Sequence, residues 1–445
     1  MSSSLLIKNV RIVNEGSIVD SDLLIKNNRI EKISKDISFK EADIIEGNGM
    51  YLLPGCIDDQ VHFREPGLTH KADIHTESAA AVAGGITSFM EMPNTIPNAL
   101  TRALLEDKYT IASKKSFANY SFYMGTSNSN AEEVLRIDNK NVCGVKIFMG
   151  SSTGNMLVNN PNSLEKIFSE SESLIAVHCE DEEIILKNSE LFKEKYGDKL
   201  STKHHPLIRS REACLKSSSY AVNLAKKYNT RLHILHISTA EELELFEPNR
   251  PIKDKRITAE ACVHHMFFTS DDYELKGNLI KCNPAIKDEA DRTALWNAIV
   301  DGRIDVIATD HAPHTIEEKN QIYIQAPSGL PLVQHALRMV LSIAEQTHWS
   351  LPFIAKKMAH DVADCFKIID RGYIREGYFA DLVLIDPNTS SQIVESELYY
   401  KCGWSPLIGN QLKGKVLATF VNGIQVYNGN DKPNIIAGQR MKFSN

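Results

Sequence analysis

Residues 54–67 read PGCIDDQVHFREPG, a strand pattern that begins at a Pro-Gly turn signal and turns polar before it ends. Side chains alternate across a strand, so Asp58, Gln60, His62 and Arg64 are expected on one face, toward a common mouth, and Asp59, Val61 and Phe63 on the other. Seven later segments share this texture: GITSFMEM (85–92), YSFYMGT (120–126), CGVKIFMG (143–150), LIAVHCE (174–180), LHILHIS (232–238), ITAEACVHH (257–265) and IDVIATDH (304–311). Helical stretches separate them, as in successive βα units around a parallel sheet. Eight such units predict an α/β chain, a (β/α)8 barrel of the TIM type. Its active site would be built from the strand C-termini and the loops after them. A single histidine at a strand end is as readily a terminator as a ligand. Five or more imidazole and carboxylate groups at matching ends suit a metal centre better.

On either side of the barrel the texture changes. Residues 5–13, 21–33 and 42–47 cluster apolar residues between turn signals and read as antiparallel strands. The far end repeats this at 380–386 and 414–428, with Asn422-Gly423 as a hairpin turn. The expected organisation is a barrel over 54–370 and a small β-sandwich domain formed by both termini, 1–53 and 371–445. An apolar fraction of 42% with 24% charged residues fits a chain that buries a large core. The net charge of -7, with 50 basic and 57 acidic residues interspersed, offers no footprint for nucleic acid or an anionic membrane. The partner to expect is a small molecule. Eight cysteines without a CxxC pair read as reduced thiols of a cytoplasmic enzyme, and no apolar run reaches the length of a membrane span.

The opening stretch resembles the first signature of the dihydroorotases, a family of the amidohydrolase superfamily, whose pattern is Asp-x-His-x-His-x-Arg. Gln60 stands where the family usually has the first of two metal-binding histidines. A second signature is intact: Ala308-Thr309-Asp310-His311-Ala312-Pro313-His314, then Lys319. Met92-Pro93-Asn94-Thr95, Gly144-Val145-Lys146, His178-Cys179-Glu180-Asp181, His233 to Ser238 and Asn283-Pro284 extend the resemblance along nearly the whole chain, and Arg371-Gly372 through Val383 resembles the superfamily's return to its small β domain.

The resemblance implies zinc held by His62, Lys146, His178, His236 and Asp310, with Lys146 carrying a CO2-derived carbamate that bridges two ions. Burial in a barrel would lower the Lys146 pKa and supply the neutral amine that carbamylation needs. Read alone, a strand lysine would instead pair with a carboxylate. In HILH the two histidines fall on opposite faces, and the family pattern selects His236. His233, His204, His205, His264 and His265 are then expected to be packed or supporting residues. Asp310 is the expected catalytic proton acceptor and donor. Arg64, Asn94, Asn283 and His314 are the expected substrate contacts, with Arg64 holding a planar carboxylate. Because an amide oxygen is a poorer zinc donor than imidazole, one tight and one weaker zinc are expected. The implied reaction is the reversible cyclisation of N-carbamoyl-L-aspartate to L-dihydroorotate in pyrimidine synthesis, with a homodimer as a family-level expectation. Two rivals stay open: a hydantoinase-like or allantoinase-like activity, and a non-catalytic homologue acting as a structural partner.

Overall fold

A computed structural model of the chain describes residues 4–150 and 156–444. All eight predicted barrel strands are present, most of them cut back at the polar end. They are Cys56–Val61, Ile86–Glu91, Asn119–Phe122 resuming as Met124–Gly125, Val145–Phe148, Ile175–His178, Leu232–Ile234, Ile257–Cys262 and Val306–Ala308. Each pairs in parallel with the next. A parallel bridge between Val61 and His311 joins strand eight back to strand one, and the His62 amide donates to the His311 carbonyl at 2.7 Å. The barrel is therefore closed and has no free edge.

Several of these strands are buried along their whole length, as expected where helices cover the outer face of a parallel sheet. Covering helices include Ile74–Ala83, Glu182–Tyr196, Arg211–Tyr228 and Glu289–Asp301. Their starts are set by Asp73, Asp181, Ser210 and Asp288, whose side chains accept from the otherwise unpaired first-turn amides. These caps fix where each strand-to-helix loop ends, and so how the loop sits over the barrel mouth.

The strands Ser4–Asn14, Ser17–Lys26, Arg29–Ser34, Ala42–Glu46 and Tyr51–Pro54 join Leu382–Gln392, Gln411–Val421 and Ile424–Tyr427 in one hydrogen-bonded sheet. Both termini build it, through antiparallel pairing of Leu382 to Ile385 with Pro54 to Tyr51. The turns Asn27-Asn28 and Asn422-Gly423 have positive φ at both positions, the geometry that matches a tight hairpin to strand twist. Not every strand is antiparallel: Ala42–Glu46 and Tyr51–Pro54 both run parallel to Ser4–Asn14.

Buried Asp381 fastens the sheet to the barrel. Its carboxylate accepts from the Arg371 guanidinium, from Asn119 Nδ2 on barrel strand three (3.1 Å) and from the Asn422 amide (2.8 Å). The segment after the sheet returns to the barrel, where the Tyr120 amide donates to the Gln439 carbonyl and the Met441 amide to the Tyr120 carbonyl, both at 3.0 Å.

Candidate active site

A cavity of about 530 Å³ opens at the C-terminal end of the barrel. All nine residues singled out by sequence line it: His62, Arg64, Asn94, Lys146, His178, His236, Asn283, Asp310 and His314. Gln60, Lys71, Phe148 and Ser328 line it as well. Three of the nine, Arg64 (φ 68°), His236 (φ 39°) and Asp310 (φ 47°), have left-handed backbone, which costs a non-glycine residue of order 1 kcal/mol or more. Each lies just beyond a strand end, where the chain bends sharply and turns its side chain into the cavity.

The face assignment on strand one needs correction. Asp59 does not point away from the barrel: its carboxylate lies 3.2 Å from Nε2 of His233 on strand six, and Glu260 of strand seven lies 3.4 Å from the same nitrogen. All three are fully buried. The pairing register of strand one shifts between Asp58 and Val61, so simple alternation fails there. His233 likewise enters the interior together with His236, one layer deeper. Strand six ends at Ile234, and the turn through His236 brings both imidazoles to the same side. Asp58 is occupied by Thr309, which donates from Oγ1 at 2.6 Å and from its amide at 3.2 Å.

At one side of the cavity His178 Nδ1 and His236 Nε2 face each other at 2.9 Å. His178 Nε2 donates to Glu180 at 3.0 Å, which leaves Nδ1 as a lone pair aimed inward. Glu180 is held by Arg209 at 3.0 Å, and its carboxyl stays well below the usual range because Arg209 and His178 together outweigh its burial. Burial also keeps both imidazoles neutral, His236 strongly so. The Glu260 carboxylate accepts the His236 amide at 2.9 Å and supports its unusual backbone.

Lys146 sits between the two groups of ligand-type residues. It is 1% exposed and has no carboxylate within ion-pair distance among the described residues; its ammonium lies 4.4 Å from the Phe148 ring centre. The ordinary pairing open to a strand lysine is thus absent. Burial lowers its pKa to about 7, against the opposing pull of Asp310 and Glu260. On the other side Asp310 Oδ1 lies 3.1 Å from both His62 Nε2 and Gln60 Nε2, while His62 Nδ1 contacts Asn94 Oδ1 at 2.8 Å. Burial alone would raise the Asp310 pKa; the His62 contact, with His264 and Lys146, reverses this and leaves it lowered.

Arg64 is buried and lines the same cavity. It donates from Nε to the Pro313 carbonyl at 3.0 Å and lies 3.1 Å from His314 Nε2, yet it meets no carboxylate within 4 Å among the described residues. Burial lowers its pKa to about 10 and that of His314 to about 3, so the cation beside it is a neutral imidazole's neighbour. Asn283 Oδ1 accepts from Ser328 Oγ at 3.1 Å and lies 3.2 Å from His205 Nε2. Lys319, part of the second signature, does not face the cavity; it donates to the Pro327 and Gly329 carbonyls, both at 2.9 Å, and ties down the loop that does.

Sequence reasoning gave no role to Glu180, Arg209, Glu260, Lys71 or Ser328. Glu180 carried a signal, since it stands two residues after His178, just past the end of strand five. The other four come from loops or a neighbouring strand, and no spacing rule connects them to a ligand.

Chemically the cavity brings together two imidazoles and a lysine whose pKa is lowered to about 7, a carboxylate, and a guanidinium with no carboxylate within 4 Å among the described residues. That suits hydrolysis at a polarised carbonyl within an anionic substrate. The Amidohydrolase family model matches residues 51–426. A dihydroorotase of Methanosarcina acetivorans is 33% identical over 415 residues, covering 91% of this chain and 88% of its own. An allantoinase of Salmonella paratyphi B is 28% identical over 442 residues, covering 96% of each. Among solved structures, the L-hydantoinase of Arthrobacter aurescens superimposes with a TM-score of 0.92 at 25% identity, over 99% of this chain and 100% of its own. By family model and by likeness along nearly its whole length, the chain belongs to the amidohydrolase family.

Proposed function

We propose that the protein is a dihydroorotase, interconverting N-carbamoyl-L-aspartate and L-dihydroorotate with loss or gain of water, in pyrimidine synthesis in the cytoplasm. The observation that carries this reading is Arg64: a buried guanidinium with no carboxylate within 4 Å among the described residues, lining the cavity that also holds the candidate ligands. A buried cation left in this state costs several kcal/mol unless a ligand supplies the anion. Dihydroorotate carries such a carboxylate on its ring; hydantoin and allantoin do not. The dihydroorotase relatives support the same choice.

His178, His236 and Lys146 suit a divalent cation. Two neutral imidazoles converge, one of them with its tautomer fixed by Glu180, and the lysine is already near the pKa at which CO2 can add. Zinc held there would supply a Lewis acid for the ring carbonyl and an acidified water. The chain's own groups do the rest. Arg64, with Asn94 and His314 beside it, orients the carboxylate, and Asn283 meets the ring amides. Asp310 takes the proton of the attacking water and returns it to the departing ring nitrogen.

The test is turnover by purified, zinc-supplied protein across ring substrates: dihydroorotate, hydantoin, dihydrouracil and allantoin. Preference for dihydroorotate is the expected result. Faster turnover of a ring without a carboxylate assigns the chain to the hydantoinase or allantoinase activity instead, and no turnover of any leaves a non-catalytic homologue.

A further inference from the structure

Gln60 occupies the position from which its family resemblance leads one to expect an imidazole ligand, and its contacts give it a different task. Its amide is flanked on both sides. Nε2 points at Asp310 Oδ1 at 3.1 Å, and Oε1 points at the Cys262 thiol at 3.7 Å. A carboxylate is an acceptor, so this orientation sets the amide N–H against its complement, while the single thiol proton of Cys262 has Gln60 Oε1 and Glu260 Oε1 as alternative acceptors. The reverse orientation would set the amide oxygen against the Asp310 carboxylate, two acceptors in contact, and only a cation between them would make that tolerable. The two orientations of one amide therefore correspond to two metal contents.

Asp310 is held twice over. The same oxygen, Oδ1, is 3.1 Å from His62 Nε2, so two groups of strand one converge on it. Gln60 is 2% exposed and lines the cavity wall beside Asp310. Cys262 is itself anchored within 3.5 Å of Glu260 Oε1, the carboxylate that also accepts the His236 amide. The chain Glu260, Cys262, Gln60, Asp310 thus runs across the barrel beneath the cavity, from the imidazole pair to the carboxylate.

We propose that Gln60 replaces a metal ligand with a hydrogen-bond donor: together with His62 it positions Asp310 as a metal-free carboxylate, and the chain keeps one tightly held divalent cation at Lys146, His178 and His236. This rests on the dihydroorotase reading for the place of that cation. It departs from the expectation of a second, weaker zinc held by His62, Lys146 and Asp310.

The experiment is metal content of the full-length protein loaded with Zn²⁺, or with Mn²⁺ for electron paramagnetic resonance, and dialysed against a graded chelator. Wild type should hold one ion per chain even at the mildest step, with the resonance of an isolated Mn²⁺. Gln60→His should raise this to two and replace the isolated signal with that of a coupled pair. Cys262→Ser, which keeps a donor, should stay at one. Two equally retained ions in wild type, or a coupled signal there, would overturn the proposal; this reading needs no variant to fold. Failure of Gln60→His to gain an ion, in protein that melts like wild type, would also overturn it. Activity is scored separately. One ion per chain without turnover of dihydroorotate would refute the functional reading and leave the metal count, whereas two ions with full turnover would do the reverse.

Discussion

Replacing Arg64 with alanine removes the one feature that separates a carboxylate-bearing ring from its neutral relatives. Of the five N–H donors on the guanidinium, contacts with Pro313 and His314 engage two, which leaves three for a ligand. A bidentate carboxylate would use two of them. Charge-assisted hydrogen bonds contribute about 1.5–3 kcal/mol each, and burial keeps water from replacing them. The loss should therefore be about 3–6 kcal/mol, or roughly two to four orders of magnitude in kcat/KM for dihydroorotate. Dihydrouracil, the same ring without the carboxylate, should lose less than about tenfold. Metal content should not change, because the hydrogen bonds of Arg64 go to Pro313 and His314 and to none of Lys146, His178 and His236. The assay is steady-state ring opening of both substrates by wild type and Arg64→Ala at matched metal content, well below the melting temperature of each. Equal losses for the two substrates would refute the reasoning, as would metal loss in the variant, since Arg64 would then be shaping the site rather than recognising an anion.

Asp310→Asn should lower turnover by more than three orders of magnitude while one metal ion is still bound, because the imidazole pair and Lys146 are untouched; near-wild-type rates would exclude Asp310 as the proton carrier. With the Lys146 pKa at about 7, ammonium predominates below that pH and the free amine above it, so CO2-dependent reconstitution of metal-free protein should accelerate about tenfold from pH 6 to pH 8. A flat profile, or native mass spectra of active protein without the CO2 adduct, would argue against the carbamate. The same shift makes the metal-free protein gain stability as pH rises from about 7 toward 10.5, where the unfolded lysine still binds a proton that the folded one has lost. Asp381→Ala leaves the Arg371 guanidinium buried and unpaired and should cost about 3–5 kcal/mol in denaturant unfolding, and a loss under 1 kcal/mol would remove Asp381 as the fastening between sheet and barrel.

The barrel was legible because period and punctuation agree: eight apolar runs, each ending in polar residues, with capped helices between most of them. The nine site residues were legible because strand C-termini must converge once a barrel closes. What alternation misread was strand one below His62. The register shift between Asp58 and Val61 turns Asp59 inward, and a one-residue irregularity leaves no mark on a hydrophobic pattern. His233 was misplaced for a related reason, since the rule was carried past Ile234, where the strand has already ended. Left-handed backbone at Arg64, His236 and Asp310 was equally invisible: Asp and His adopt it more often than most residues and Arg does not, yet even for them it is too rare to be read from residue type alone. Glu260 is silent in sequence because its importance lies in which amide it accepts from.

The pairing of Leu382 with Pro54 bears on how the chain is made as well as how it is held. During synthesis the strand Tyr51–Pro54 leaves the ribosome more than three hundred residues before its antiparallel partner exists. At about 5–20 residues per second, one edge of the first-made strands waits for tens of seconds without its neighbour. That edge carries the apolar residues Leu52 and Leu53, both of which end fully buried. An interrupted translation product would present an unpaired strand to other nascent chains, the condition that favours aggregation. The two-ended sheet thus leaves the newborn protein with an exposed apolar edge until its last strands emerge, and truncated products should be far less soluble than the finished chain.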